Sequence, residues 1–115
     1  MTDAELTETE FQRLAADTLA RLAEALEQGL ADAAEVELQG GILTIDLDMG
    51  GQYVINKHAP NRQIWLSSPR SGASHYAFDA ARGTWVATRS GRTLADVLAE
   101  ELGSLVSEPL VLDRI

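Results

Sequence analysis

The sequence predicts a two-layer α/β sandwich of the α+β class, an antiparallel sheet of about six strands covered on one face by an N-terminal and a C-terminal helix. Three observations predict it. Amphipathic helical periodicity is confined to the two ends of the chain. Between them lie short apolar runs of period two joined by brief turn signals, which favour consecutive hairpins and antiparallel pairing. At 115 residues, without repeat, linker or low-complexity segment, residues 1–115 read as one domain large enough for an ordinary core.

Leu6 to about Gln28 reads as the first helix. Thr7 is a good N-cap, Glu10 completes a capping box, and Leu6 with Phe11 fits a hydrophobic staple. Phe11, Leu14, Thr18, Leu22, Ala25 and Leu26 recur at helical spacing, with Leu19 widening the stripe. Gln12, Arg13, Asp17, Arg21, Glu24, Glu27 and Gln28 occupy the other side, and Gly29 is a plausible stop.

Glu35 to Leu38 alternates acid and apolar, a half-buried strand with both carboxylates outward. A Gly40-Gly41 turn leads to a second strand, Ile42 to Leu47, with Leu43, Ile45 and Leu47 inward. Asp48 to Gly51 turns the chain again. Tyr53-Val54-Ile55 and Ile64-Trp65-Leu66 are the next strands, joined by the polar turn Asn56 to Arg62. Period two puts Ile64 and Leu66 on one face and Gln63, Trp65 and Ser67 on the other. Two readings of Trp65 follow. It is a binding anchor on an open sheet face, or it packs beneath a loop or helix.

Arg70 to Ser74 reads as a loop, His75 to Asp79 as a strand, Ala80 to Gly83 as a turn, and Thr84 to Ala87 as the last strand. Thr93 caps the second helix, whose apolar stripe is Leu94, Val97, Leu98, Leu102 and Leu105. Glu108-Pro109 ends it, and Leu110-Val111-Leu112 is an apolar tail expected to pack between the helices or against the sheet.

The net charge is −9 and is unevenly spread. Residues 1–50 hold 12 acids and 2 bases, residues 51–92 one acid and 6 bases, and residues 93–115 5 acids and one base. The segregation suggests a dipolar surface with two kinds of partner, cations at one end and an acidic protein at the other; the alternative is that a net charge of this size only keeps a small domain dispersed. A net acidic domain is a poor binder of nucleic acid. No apolar run approaches the roughly 20 residues that cross a bilayer. The start, MTDAELTETE, resembles neither a secretory signal nor a basic transit peptide, which reads as a bacterial cytoplasmic protein, or a mitochondrial matrix protein if processed. There is no cysteine, so the chain can neither ligate an iron–sulfur cluster by thiolates nor carry a persulfide.

Two constellations stand out. Asp17 and Glu24 are two helical turns apart, Glu27 is one turn beyond, Asp32 follows, and Glu35 and Glu37 point out from the next strand. Such carboxylates are either a solvated face or a weak site for hard cations such as ferrous iron, manganese, magnesium or calcium. The second is the surface of Asn56, Lys57, Asn61, Gln63 and Trp65. Its amides are either turn caps or polar contacts around an aromatic anchor. The two histidines, His58 and His75, have no neighbouring nucleophile, and no Gly-rich phosphate loop is present, so a non-enzyme is expected.

VINKHAPNRQIWLSSPRSG, from Val54 to Gly72, resembles the central signature of the frataxin family, including its bacterial, CyaY-like branch. LTETEFQRLAADTL resembles the family's first helix, GGILTI its second strand, and Trp85 to Leu105 its last strand and second helix. The resemblance spans nearly the whole chain and implies the same sandwich. It implies that the acidic ridge binds ferrous or ferric iron weakly. Ala16, Ala20, Ala23 and Gln28 stand where relatives often carry acids, so fewer or weaker sites are expected. It implies that the Trp65 surface contacts a cysteine desulfurase and an iron–sulfur scaffold protein, with His58 and His75 replacing the Gln and Arg of some relatives. The implied role is an iron-binding modulator of cluster assembly, a monomer that could form iron-dependent oligomers. Alternatives are an iron store with ferroxidase activity and, outside iron chemistry, a dimeric chaperone for secreted proteins.

Overall fold

The computed structural model describes residues 6–107, 110 and 112. Helix α1 (Glu8–Leu30) opens the chain. Six strands follow: β1 (Ala34–Gln39), β2 (Ile42–Leu47), β3 (Gln52–His58), β4 (Gln63–Ser68), β5 (Gly72–Asp79) and β6 (Thr84–Ala87). Helix α2 (Leu94–Gly103) closes it. The strands form one antiparallel sheet in the order β1-β2-β3-β4-β5-β6. This is the predicted two-layer α+β fold.

The first helix starts as its capping box requires. The Glu10 amide donates to Thr7 Oγ1 and the Thr7 amide to Glu10 Oε1, both at 3.1 Å. Its end differs from the expectation. The helix runs through Gly29 to Leu30, because Leu30 is buried in the core. Ala31 makes the stop instead, at φ 46°, with its amide bonded to the Glu27 carbonyl.

Period two sorts the sheet into two faces. Leu43, Ile45, Tyr53, Ile55, Ile64, Leu66, Tyr76 and Trp85 are buried against the helices. Helix α1 contributes Phe11, Ala15, Leu19, Leu22 and Leu26, and α2 contributes Leu94, Leu98 and Leu102. The Trp85 indole donates to Thr18 Oγ1 at 2.8 Å, which satisfies both buried polar groups. Its ring meets Phe11 and Phe78 edge to face. Leu38, expected inward, is 39% exposed because it lies at the far end of edge strand β1.

Two strands extend well into segments predicted as turn or loop. β3 continues to His58, since Asn56, Lys57 and His58 pair with Trp65, Ile64 and Gln63. A 3-10 turn at Ala59–Asn61, with Arg62 in the left-handed region at φ 51°, reverses the chain more tightly than the predicted seven-residue turn. β5 begins at Gly72, because the ladder with β4 extends to Ser68–Gly72. The β1–β2 connection is the expected two-residue glycine turn. Gly40 and Gly41 both have positive φ, a geometry that a side chain would strain.

Helix α2 begins with the predicted cap, the Asp96 amide donating to Thr93 Oγ1 at 3.0 Å. It ends at Gly103, earlier than expected, and leaves Leu105 half-buried beyond it. Glu108, Pro109 and Val111 lie outside the described residues. Leu110 lies against α1, where it occupies the space a Cβ at Gly29 would need, and Leu112 is buried in the core at 4% exposure. The tail thus packs on the core, as its composition predicts. Leu112→Ala is expected to lower stability by about 2 kcal/mol, the low end for a leucine truncated in a core. A urea titration with an unchanged m-value checks it.

Candidate functional site

The face of the sheet away from the helices carries no covering element among the described residues. Register places Ile42, Asn56, Trp65 and His75 in one row across β2 to β5. Gln63 and His58 are paired in the next row. Trp65 is half-buried, yet no loop or helix among the described residues covers it. Its indole is sandwiched between two imidazoles. The His58 ring is stacked 3.7 Å away at 10°, and the His75 ring 4.2 Å away at 17°. The indole N–H donates to Gln63 Oε1 at 2.9 Å. Ile42, at 46% exposure, extends the apolar surface toward β2.

Of the five residues assigned to this surface from sequence, Asn56, Gln63 and Trp65 share the outer face. Lys57 has the opposite parity. It pairs with buried Ile64 and its stem runs past Gly41, so it lies on the helix side. Proximity in sequence groups the lysine with Asn56, but strand β3 extends through it and turns it over. Asn61 sits in the 3-10 turn at the strand end and is exposed. The Asn56 amide donates to its neighbour's carbonyl at 3.2 Å, so its carbonyl oxygen is left for other donors.

The acidic residues border the other edge. Asp17, Glu24 and Glu27 are exposed on α1, Asp32 on the short 3-10 turn Ala31–Ala33, and Glu35 and Glu37 on β1. Asp17 is paired with Arg21 at 3.0 Å. β1 is an edge strand with α1 packed on its inner side, whereas Glu35 and Glu37 point to the outer side. The carboxylates therefore wrap around an edge instead of converging. Among the described residues, no three acidic or imidazole groups come together as a preformed metal centre. One pair is close by register. Glu35 stands directly opposite Asp46 on β2, and Gln52 donates to Asp46 Oδ1 at 2.9 Å. Like charges directly opposite repel, a strain that a bound cation relieves.

A third cluster was not read from the sequence. Glu101 on α2 is buried, at 9% exposure. Its Oε1 accepts from Tyr53 at 2.9 Å and Ser68 at 2.6 Å, and its Oε2 from Ser71 at 2.6 Å. Arg70 donates to the Glu101 carbonyl at 2.8 Å. Burial opposes the charge, but the three hydroxyls and the nearby guanidinium outweigh it and hold the carboxyl below the usual glutamate range. Burial and the bond to Glu101 push the Tyr53 phenol up. The cluster ties α2 to β3, β4 and the β4–β5 loop. A Glu-Glu pair in a helix looks like solvated surface, and only the position of Glu101 between Leu98 and Leu102 hinted otherwise.

The geometry can be set beside known proteins. Residues 4–108 match the model of the frataxin-like domain. The chain is 38% identical over 91% of its length to the mitochondrial frataxin homologue of Schizosaccharomyces pombe, covering 69% of that protein. It is 44% identical over 80% of its length to the mitochondrial frataxin homologue of Saccharomyces cerevisiae, covering 50% of it. The chain thus spans from about half to just over two-thirds of these relatives. Among solved structures, frataxin from Psychromonas ingrahamii is similar in fold, with a TM-score of 0.79 at 24% identity, over 91% of this chain and 96% of that one. Trimeric yeast frataxin complexed with ferrous has a TM-score of 0.62 at 37% identity, over 94% of this chain and 92% of that one.

Proposed function

The chain belongs to the frataxin family, and from that premise we propose that it is an iron-binding modulator of iron–sulfur cluster assembly. In this reading exposed carboxylates at the acidic edge take up ferrous iron weakly. The outer sheet face docks on a cysteine desulfurase–scaffold complex. The observation that carries the reading is an outer face with no covering element among the described residues, where Asn56 and Trp65 are in register and Gln63 shares their face, beside an edge strand bearing Glu35 and Glu37.

The donor set fits weak, exchangeable iron. Asp17, Glu24, Glu27, Asp32, Glu35 and Glu37 offer hard oxygen ligands without a closed cage, so water completes any coordination sphere. Iron held in this way can be passed on, which suits a carrier. The chain itself holds no cluster through cysteine, so cluster chemistry belongs to its partners. In this reading it works in the bacterial cytoplasm or the mitochondrial matrix, as a monomer that iron can drive into oligomers.

An anaerobic Fe(II) titration followed by amide NMR tests the iron half. Selective broadening is expected at Glu35, Glu37 and the Glu24–Glu27 segment, with Asp17 weaker because Arg21 already pairs with it. Uniform broadening, or none up to millimolar iron, would reject it. The yeast structure complexed with ferrous is trimeric, which supports a second reading as an iron store with ferroxidase activity. That reading requires growth of large particles when iron and oxygen are added, visible by light scattering.

A further inference from the structure

We propose that His58 and His75 are positioning residues that clamp Trp65, so that the docking surface is a preformed slab presenting the edges of three stacked rings. The proposal rests on the reading of the outer face as a docking surface.

The geometry accounts for every face of the indole. One face lies on His58 and the other on His75, at 3.7 and 4.2 Å. The N–H is bonded to Gln63. A partner therefore finds neither ring face open and no free indole donor. It finds the outer edge of Trp65 flanked by the edges of two imidazoles. A partner cation cannot stack on this tryptophan without first displacing a histidine. The surface favours contacts that imidazole edges can make, hydrogen bonds to backbone carbonyls, carboxylates or hydroxyls, around an apolar centre.

The clamp is held by ring contact. His58 Nδ1 is shielded from solvent and has no hydrogen-bond partner. Nothing polar at that nitrogen fixes the ring, so the stack on Trp65 orients it. The main chain of His75 is held by the Thr88 amide, which donates to its carbonyl at 2.9 Å, and its ring by the stack on Trp65. The three rings come from adjacent strands β3, β4 and β5, so the slab is built on interior strands that are paired on both sides. Pre-ordering a large side chain in its bound orientation raises affinity by removing the entropy otherwise lost on docking.

The test compares alanine with phenylalanine at both positions. Nitrogen-15 relaxation of the Trp65 indole reports its motion, and the Trp85 indole, bonded to Thr18 in the core, is the internal reference. In the H58A/H75A variant the Trp65 indole is expected to gain fast motion while Trp85 is unchanged. Affinity for the desulfurase–scaffold complex should fall about tenfold. In H58F/H75F, which keeps the stack without its nitrogens, the indole should be ordered again and the affinity should rise above that of H58A/H75A, short of the wild type because the imidazole hydrogen bonds are lost. An indole as ordered in H58A/H75A as in the wild type overturns the clamp. So does a mobile indole with unaltered affinity. If H58A/H75A fails to fold, the single variants His58→Ala and His75→Ala carry the same comparison. Failure of the wild-type chain to bind the complex would reject the docking reading instead, and the relaxation comparison alone would then decide the clamp.

Discussion

Trp65→Arg is expected to leave the domain folded and to weaken the proposed docking on a desulfurase–scaffold complex roughly 100-fold, a loss of about 3 kcal/mol. The two effects separate because Trp65 lies outside the core. Ile64 and Leu66, on either side of it in β4, are buried against the helices and keep the strand in place. Removing the indole loses two stacking contacts, each about 1 kcal/mol. A planar guanidinium can partly replace them between the imidazoles. The expected change in folding stability is therefore about 1 kcal/mol, against the much larger change in affinity. Calorimetric titration of the complex and a thermal melt of the free domain measure the two quantities. A variant that no longer folds would place Trp65 in the core and remove the docking surface.

Glu101→Ala is expected to destabilise the domain by about 3 kcal/mol, because the two buried hydroxyls, of Tyr53 and Ser68, lose a charged acceptor worth about 1.5 kcal/mol each, while water replaces it at exposed Ser71. Tyr53 and Ser68 are buried, and no alternative acceptor is bonded to their hydroxyls among the described residues. The same cluster sets an acid limit on stability. The folded carboxyl ionises more readily than in the unfolded chain, against its own burial, owing to Ser68, Ser71, Tyr53 and Arg70. Its stabilisation is therefore complete above the unfolded glutamate value of about 4.3 and is lost as pH falls through the lower folded value. Denaturant melts from pH 7 to pH 3 should show a wild-type decline that Glu101→Gln flattens. Parallel curves for the two proteins would exclude Glu101 as its source.

The fold was legible because local signals agreed with the global pattern. Thr7 with Glu10, Thr93 with Asp96, and Gly40-Gly41 each do in the structure what their chemistry predicts. Boundaries moved where tertiary contact overrode a local signal. Gly29 reads as a stop, but Leu30 finds a place in the core and the glycine serves Leu110 instead. Lys57 reads as surface beside Asn56, but continued pairing of β3 sends it to the other side. The site was legible only in part. Alternation put Trp65 outward with Gln63, because period two needs no partner strand. The histidine stack was invisible, since it depends on the register between β3, β4 and β5. Glu101 was invisible for the same kind of reason. Its ligands lie 30 to 48 residues away in sequence, and no helical pattern reports them.

The sequential strand order bears on how the chain folds. Every strand pairs with its neighbour in sequence, so the sheet can grow hairpin by hairpin, each closing only a short loop. The bonds that join the ends of the chain to the sheet are of another kind. Trp85 reaches Thr18 across 67 residues, and Tyr53 reaches Glu101 across 48. The sheet is thus assembled from local contacts, while the two helices lock it through distant ones. Interactions at Thr18 and Glu101 form late on such a route and govern chiefly how fast the finished domain comes apart.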